Sequence, residues 1–246
     1  MAYTFEHIKR EVYPKTFLKD VHVSLYFQAV DITDSLPEKV GRFFEESFNV
    51  KDVKAEDLTK PVSVYSKDEM IRFYFSLSHV ELAVKQPAYR SYEHIEALRK
   101  KAFEYLDLMG VESLSKVMLY KYNQLGYQLT ESGSVADVMR DIFSPSLLGN
   151  MTEEDMNSLD GLSRWERSYS LKGEDETNSS FTIEYGFRKK SLDSETDALT
   201  LKTQIETGIV VVNRDDLPRV LSEFNQILDN GFHWCVTTGI VDEMKK

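Results

Sequence analysis

A single cysteine, Cys235, is all the thiol chemistry that the 246 residues contain, so no intramolecular disulfide can form and the usage fits a reducing compartment. Long apolar runs are missing too. The stretch from Ile209 to Val212 is closed by Asn213 and Arg214, far short of the roughly 18 uncharged residues of a membrane span. Near the start, Glu6, Lys9, Arg10 and Glu11 interrupt anything resembling a signal peptide. A cytoplasmic location is therefore the expectation. Positive charge is in the minority, with 30 basic residues against 41 acidic ones and a formal charge of −11, which repels a phosphate backbone at long range. These absences disfavour membrane association and general nucleic-acid binding, and the expected partner is another protein or a second copy of the chain.

What is present is enough apolar material for a core. Hydrophobic residues make up 41% of the chain, and its length suits one large domain or two modest ones. The run His22 to Phe27 has the β-branched and aromatic composition of a strand. From Ser35, a capping serine, a first-turn proline and Glu38 introduce a helical stripe of Leu36, Val40, Phe43, Phe44 and Phe48. Two strand-like runs are expected between Pro61 and Val84, the second with Ile71, Phe73, Phe75 and Leu77 on one face and a turn at Ser66 to Glu69 before it. A helical stripe from Tyr92 to Met109 stops at Gly110, and a strand follows from about Lys116 to Leu129.

The segment Thr130 to Gly161 is loop-like, with one short helix predicted at the Ser134 to Asp137 cap. Strands are predicted at Leu162 to Leu171, Phe181 to Arg188 and Ala198 to Val212. A last helix starts near Asp215 and Asp216 and carries the stripe Leu217, Val220, Leu221, Phe224, Leu228, Phe232 and Cys235, running through Gly231 at a cost of about 1 kcal/mol relative to alanine. The fold class is α+β, with mainly antiparallel sheets packed against long amphipathic helices. The organisation reads either as an N-terminal half over 1–132 and a C-terminal half over 133–246, or as one continuous domain. Both halves end in strand, turn, long strand and helix, a pattern compatible with a degenerate duplication.

No reaction motif is complete. Gly110 to Val117 approaches a phosphate-binding loop, but serine replaces the second glycine, valine the final hydroxyl, and strand-like sequence follows. The histidines, His7, His22, His79, His94 and His233, are dispersed, although His79-Val80-Glu81 and Glu93-His94 each place a carboxylate near an imidazole; three or four converging ligands would be needed for zinc. Cys235 and His233 are two apart on a helix and face different ways, so they form no dyad, and Cys235 reads as an inert core thiol. The acidic groups Glu153-Glu154-Asp155 and Glu174-Asp175-Glu176 read as solvated loops. Neither a cofactor nor a metal is expected. Two basic triplets, Arg99-Lys100-Lys101 and Arg188-Lys189-Lys190, are the candidate binding residues, able to form a local anion site or to accept RNA.

The stretch Phe224-Asn225-Gln226-Ile227-Leu228-Asp229-Asn230-Gly231-Phe232-His233-Trp234-Cys235-Val236-Thr237 resembles the closing helix of a sporadically distributed bacterial family of uncharacterised proteins of about this length. There an apolar residue and a histidine precede an apolar residue, a phenylalanine and an Ile-Thr pair, and Asn225 stands where the histidine often falls. Val21 to Phe27, after Pro14, and Met118-Leu119-Tyr120-Lys121-Tyr122-Asn123 are also similar, the second to a Gly-Leu-Arg-Tyr-Ile-Asn strand whose glycine and arginine are missing here. The resemblance implies a bacterial protein and carries over no catalytic residue. The leading functional expectation is a noncatalytic protein-binding module. The alternatives are an enzyme or small-ligand binder with a site between sheet and helices, and an RNA binder acting through the basic triplets.

Overall fold

The computed structural model describes residues 5–8, 13–86, 96–127, 134–157, 164–172, 178–188, 198–208 and 211–246. The fold is α+β, and the chain divides into two compact units. The first joins Asp20–Leu119 to Glu206–Ser222, and the second joins Met1–Lys19, Tyr120–Ile205 and Glu223–Lys246.

In the first unit, β1 (Leu18–Tyr26) is followed by α1 (Leu36–Phe48), a 3₁₀ turn at Ala55–Thr59, and the strands β2 (Val62–Tyr65), β3 (Ile71–Phe75) and β4 (His79–Lys85). These strands lie in the order β2-β3-β4-β1, every neighbouring pair antiparallel. Then come α2 (Glu96–Leu108) and the short β5 (Ser113–Leu114). Leu36, Val40 and Phe44 place the apolar stripe of α1 on the sheet, where period two sets Phe73 and Phe75 inward. Rings fill this layer, edge to face or tilted for Phe44 to Phe75 at 5.2 Å, Phe48 to Phe73 at 5.0 Å and Phe75 to Tyr105 at 4.7 Å, and stacked for Phe73 and Phe75 at 5.8 Å. The buried Tyr105 hydroxyl donates to the Ser76 carbonyl at 2.8 Å, which avoids an orphaned polar group in the aromatic layer.

Two expectations are corrected here. The Ser35 side chain makes no capping bond, because Ser35 is itself in the helical region and the Leu36 N–H instead closes a turn onto Thr33. The run from Pro61 to Val84 also contains three strands rather than two. Ser76 ends β3 by donating its N–H to the His79 carbonyl and accepting at its hydroxyl from the Ser78 N–H, so a turn forms without glycine or proline.

The second unit takes most of β6 (Lys116–Gly126), then α3 (Val135–Ile142), α4 (Pro145–Leu148), α5 (Glu153–Asn157), β7 (Arg164–Lys172), β8 (Asn178–Arg188) and β9 (Ala198–Thr207). The short β10 (Val212–Asn213) belongs to the first unit and pairs there with β5; α6 (Leu217–Cys235) and α7 (Thr238–Met244) follow it in the chain. Strand order is β7-β8-β9-β6. Among the described residues 134–157, three short helices thus replace the single one expected between Thr130 and Gly161. The Ser134 and Asp137 capping box starts α3, and Ser144 caps α4 ahead of Pro145.

Helix α6 does run through Gly231. A Cβ there would lie 2.4 Å from Phe181 Cζ, so glycine is what lets the ring rest against the helix backbone. Both units share one sequence of parts: a strand, one or more helices, a three-strand meander and a long helix, with the first strand beside the last strand of the meander. Among the described residues, no helix is long and apolar enough to cross a membrane.

Candidate functional site

On the first unit's sheet, the face opposite the aromatic layer is polar, and strand register decides which groups meet there. Glu81 on β4 is directly opposite Ser24 of β1 and Tyr74 of β3, with His22 and Arg72 one diagonal step away. Its carboxylate accepts from His22 Nδ1 at 3.1 Å, Ser24 Oγ at 3.2 Å and Arg72 Nη2 at 3.1 Å. Burial alone would push the Glu81 carboxyl up. The bond and charge of His22, with the bonds from Arg72 and Ser24, outweigh it and hold the group at about 2.

Around this anchor lie flat and cationic groups. His79, opposite Tyr26, stacks on its ring at 4.3 Å and 10°, and burial shifts the imidazole below its usual range against the opposing charge of Glu81. Among the described residues, the buried Nε2 of His79 has no hydrogen-bond partner. Arg72 lies over the Tyr74 ring at 5.4 Å, and Lys116 lies 5.8 Å from the Tyr26 ring. Tyr65 on β2 pairs in register with Arg72 and is 55% exposed.

The second unit holds a different cluster, beneath α6. On β6 the inward row Val117, Leu119, Lys121, Asn123 and Leu125 contains two polar residues, both over nine-tenths buried. Lys121 Nζ meets Asp229 Oδ1 at 2.5 Å, and Asn225, one turn earlier on α6, donates to Asp229 Oδ2 at 3.4 Å. A carboxylate only accepts, so the Asn225 amide nitrogen must face Asp229 and its oxygen is turned away. Among the described residues that oxygen is buried without a partner, as is the hydroxyl of Thr203 on the inward row of β9, between Leu201 and Ile205. Asn123 donates to the Leu201 carbonyl at 3.3 Å.

The basic triplets are divided. Arg99, Lys100 and Lys101 lie on α2 in the first unit, where Lys101 is engaged by Glu104 at 2.7 Å and Ser47 at 3.2 Å. Arg188 ends β8 in the second unit, whereas Lys189 and Lys190 lie outside the described residues, as do His94 and Glu174-Asp175-Glu176. Gly110 adopts φ 66° at the end of α2, and the segment after it forms strands β5 and β6, not the helix a phosphate loop requires. Cys235 is fully buried, which pushes its thiol far above the usual range. Among the described residues, no group of three His, Cys, Asp or Glu side chains could hold a metal ion.

Sequence reasoning noted Glu81 beside His79 but missed His22, Ser24 and Arg72. The available signal was the polar phase of the alternation in β1, β3 and β4. Lys121 and Asn123 were legible in the same way, as polar residues on the apolar phase of β6. No protein-family model matches the chain, and no curated protein matches it significantly in sequence.

Proposed function

We propose that the chain is a noncatalytic protein-binding module and that the polar face of the first unit's sheet is its recognition surface. The observation that carries this reading is the saturation of Glu81 by three donors. A carboxylate held at about 2 is a poor proton acceptor near neutral pH, so the group serves as an anchor and not as a general base. What it anchors is a preorganised set of tyrosine, histidine and arginine side chains, the types that dominate binding energy at protein interfaces. Holding them in place before binding lowers the ordering cost of association. The bacterial resemblance of the closing helix is compatible with this reading and supplies the host type in which to look.

The test compares pull-downs from a bacterial host with the unaltered chain, Tyr65→Ala/Arg72→Ala and the distant surface control Glu38→Ala. The expected result is a stoichiometric protein partner that the control keeps and the double variant loses. Recovery of the chain alone, or of a partner indifferent to the double variant, overturns the proposal.

A second reading, small-ligand binding in the second unit, is favoured by the buried oxygens of Thr203 and Asn225, which have no partner among the described residues, in the inner layer that also holds the Lys121–Asp229 pair. Its test is thermal denaturation of the chain and of Thr203→Val across a panel of small polar metabolites. A melting shift confined to the unaltered chain is expected; no shift with any compound sinks it.

A further inference from the structure

In the second unit, Phe5–Ile8 lies without regular secondary structure, held by a row of side chains on α6 spaced four apart: Gln226, Asn230 and Trp234. The Ile8 N–H donates to Asn230 Oδ1 at 3.1 Å, and Gln226 Nε2 donates to the Ile8 carbonyl at 3.2 Å. Gln226 also donates to Asn230 Oδ1 at 2.9 Å, locking the two amides into one fork. The backbone of one residue is thus met at both its donor and its acceptor, as a neighbouring strand would meet it, and this contact reads no side chain.

Selectivity comes three residues earlier. Phe5 is 7% exposed, and its ring meets Phe181 at 4.7 Å, Trp234 at 5.8 Å and Tyr169 at 6.5 Å, all edge to face. The floor of that pocket depends on Gly231, since any side chain there would drive Phe181 off the helix and into the space Phe5 fills. Between the two anchors, Glu6 and His7 are exposed. The requirement is therefore an aromatic side chain, two unread positions, and a residue other than proline that presents both backbone groups.

We propose that this row of α6 is a peptide-binding groove, filled here by the chain's own Phe5–Ile8, and that in trans it accepts an extended segment of another protein with the same aromatic-x-x-nonproline pattern. The tether makes the internal segment a competitor, so an incoming peptide meets only the fraction of grooves that are open. A second copy is the poorer occupant. Exchanging identical segments gains no contact, and two chains of formal charge −11 repel. The groove is separate from the polar sheet face and does not rest on that reading.

The experiment titrates a fluorescein-labelled peptide of residues 1–12 against the full chain and follows anisotropy. Phe5→Asp empties the aromatic pocket, and Ile8→Pro independently removes the N–H that Asn230 receives. Each, checked for a folded circular dichroism spectrum, is expected to bind the peptide about tenfold more tightly than the unaltered chain, because the competitor is weakened. Adding Asn230→Leu or Gly231→Val, or replacing the phenylalanine of the peptide by alanine, is expected to abolish that gain. Two results overturn the proposal: peptide affinity no higher for either folded opening variant than for the unaltered chain, or sedimentation showing that the unaltered chain fills the groove by pairing with itself.

Discussion

The two units repeat one order of strands and helices but put their polar groups in opposite layers. In the first, the layer under α1 and α2 is built from rings, and the charged group Glu81 is on the far side of the sheet, bonded by three donors. In the second, charge lies under the helix, where Lys121 and Asp229 pair while the oxygens of Thr203 and Asn225 have no partner among the described residues. A shared topology therefore fixes which faces exist and leaves open which of them is dry. Ring packing commits the first unit's inner layer to stability. The second unit's inner layer carries groups whose desolvation is only partly compensated, a cost that stability alone does not explain.

The contrast can be broken most forcefully from the dry side. Phe75→Ala removes the ring that contacts Phe43, Phe44, Phe48, Phe73 and Tyr105, and is expected to lower stability by about 4 kcal/mol, read as a shift of the urea midpoint. On the polar side, Asp229→Ala strands the Lys121 ammonium and is expected to cost about 3 kcal/mol in the same assay. Lys121→Met/Asp229→Leu should recover most of that loss; if it does not, the pair is more than a compensated charge.

The Glu81 anchor gives a pH signature. Its folded value lies well below the ordinary carboxylate value of 4.5, so its stabilisation is complete above about 4.5 and is lost as pH falls towards about 2. Chemical denaturation of the unaltered chain and Glu81→Gln should show the largest gap near neutral pH and converging stabilities across that acidic window. A gap that stays constant on acidification contradicts the assignment.

The smallest effect is the sharpest test of the second unit. Thr203→Val keeps the shape and deletes an unpartnered hydroxyl, so the melting temperature should hold or rise, by about 1 kcal/mol of stability at most. A clear loss would mean that the hydroxyl is engaged by bound water.

Much of this architecture was legible because amphipathic period is a local property. The stripe of α1, the capping box of Ser134 and Asp137, and the passage of α6 through Gly231 could all be read from neighbouring letters. The turn at Ser76 was not, since its bonds use a serine side chain where a glycine or proline signal would be sought. The helices α4 and α5 were hidden by their shortness, four and five residues, which leaves no helical period to read. The Glu81 cluster was only half visible for another reason. Its donors come from His22, Ser24 and Arg72, and only the register of three strands brings these together. The fork that holds Ile8 joins positions 222 residues apart for one bond and 218 for the other, beyond any local pattern.

That separation belongs to a wider property of the chain. The first unit needs Glu206–Ser222 for completion, and the second takes in Met1–Lys19 as well as Glu223–Lys246. During synthesis neither can finish as its own first strands leave the ribosome, because each waits for a piece made long after them. The growing polypeptide therefore passes through a long interval with open strand edges, a period when chaperones and proteases compete for it. Simple truncation series are poorly suited to such a chain: a cut that isolates either half by position leaves both units missing a part.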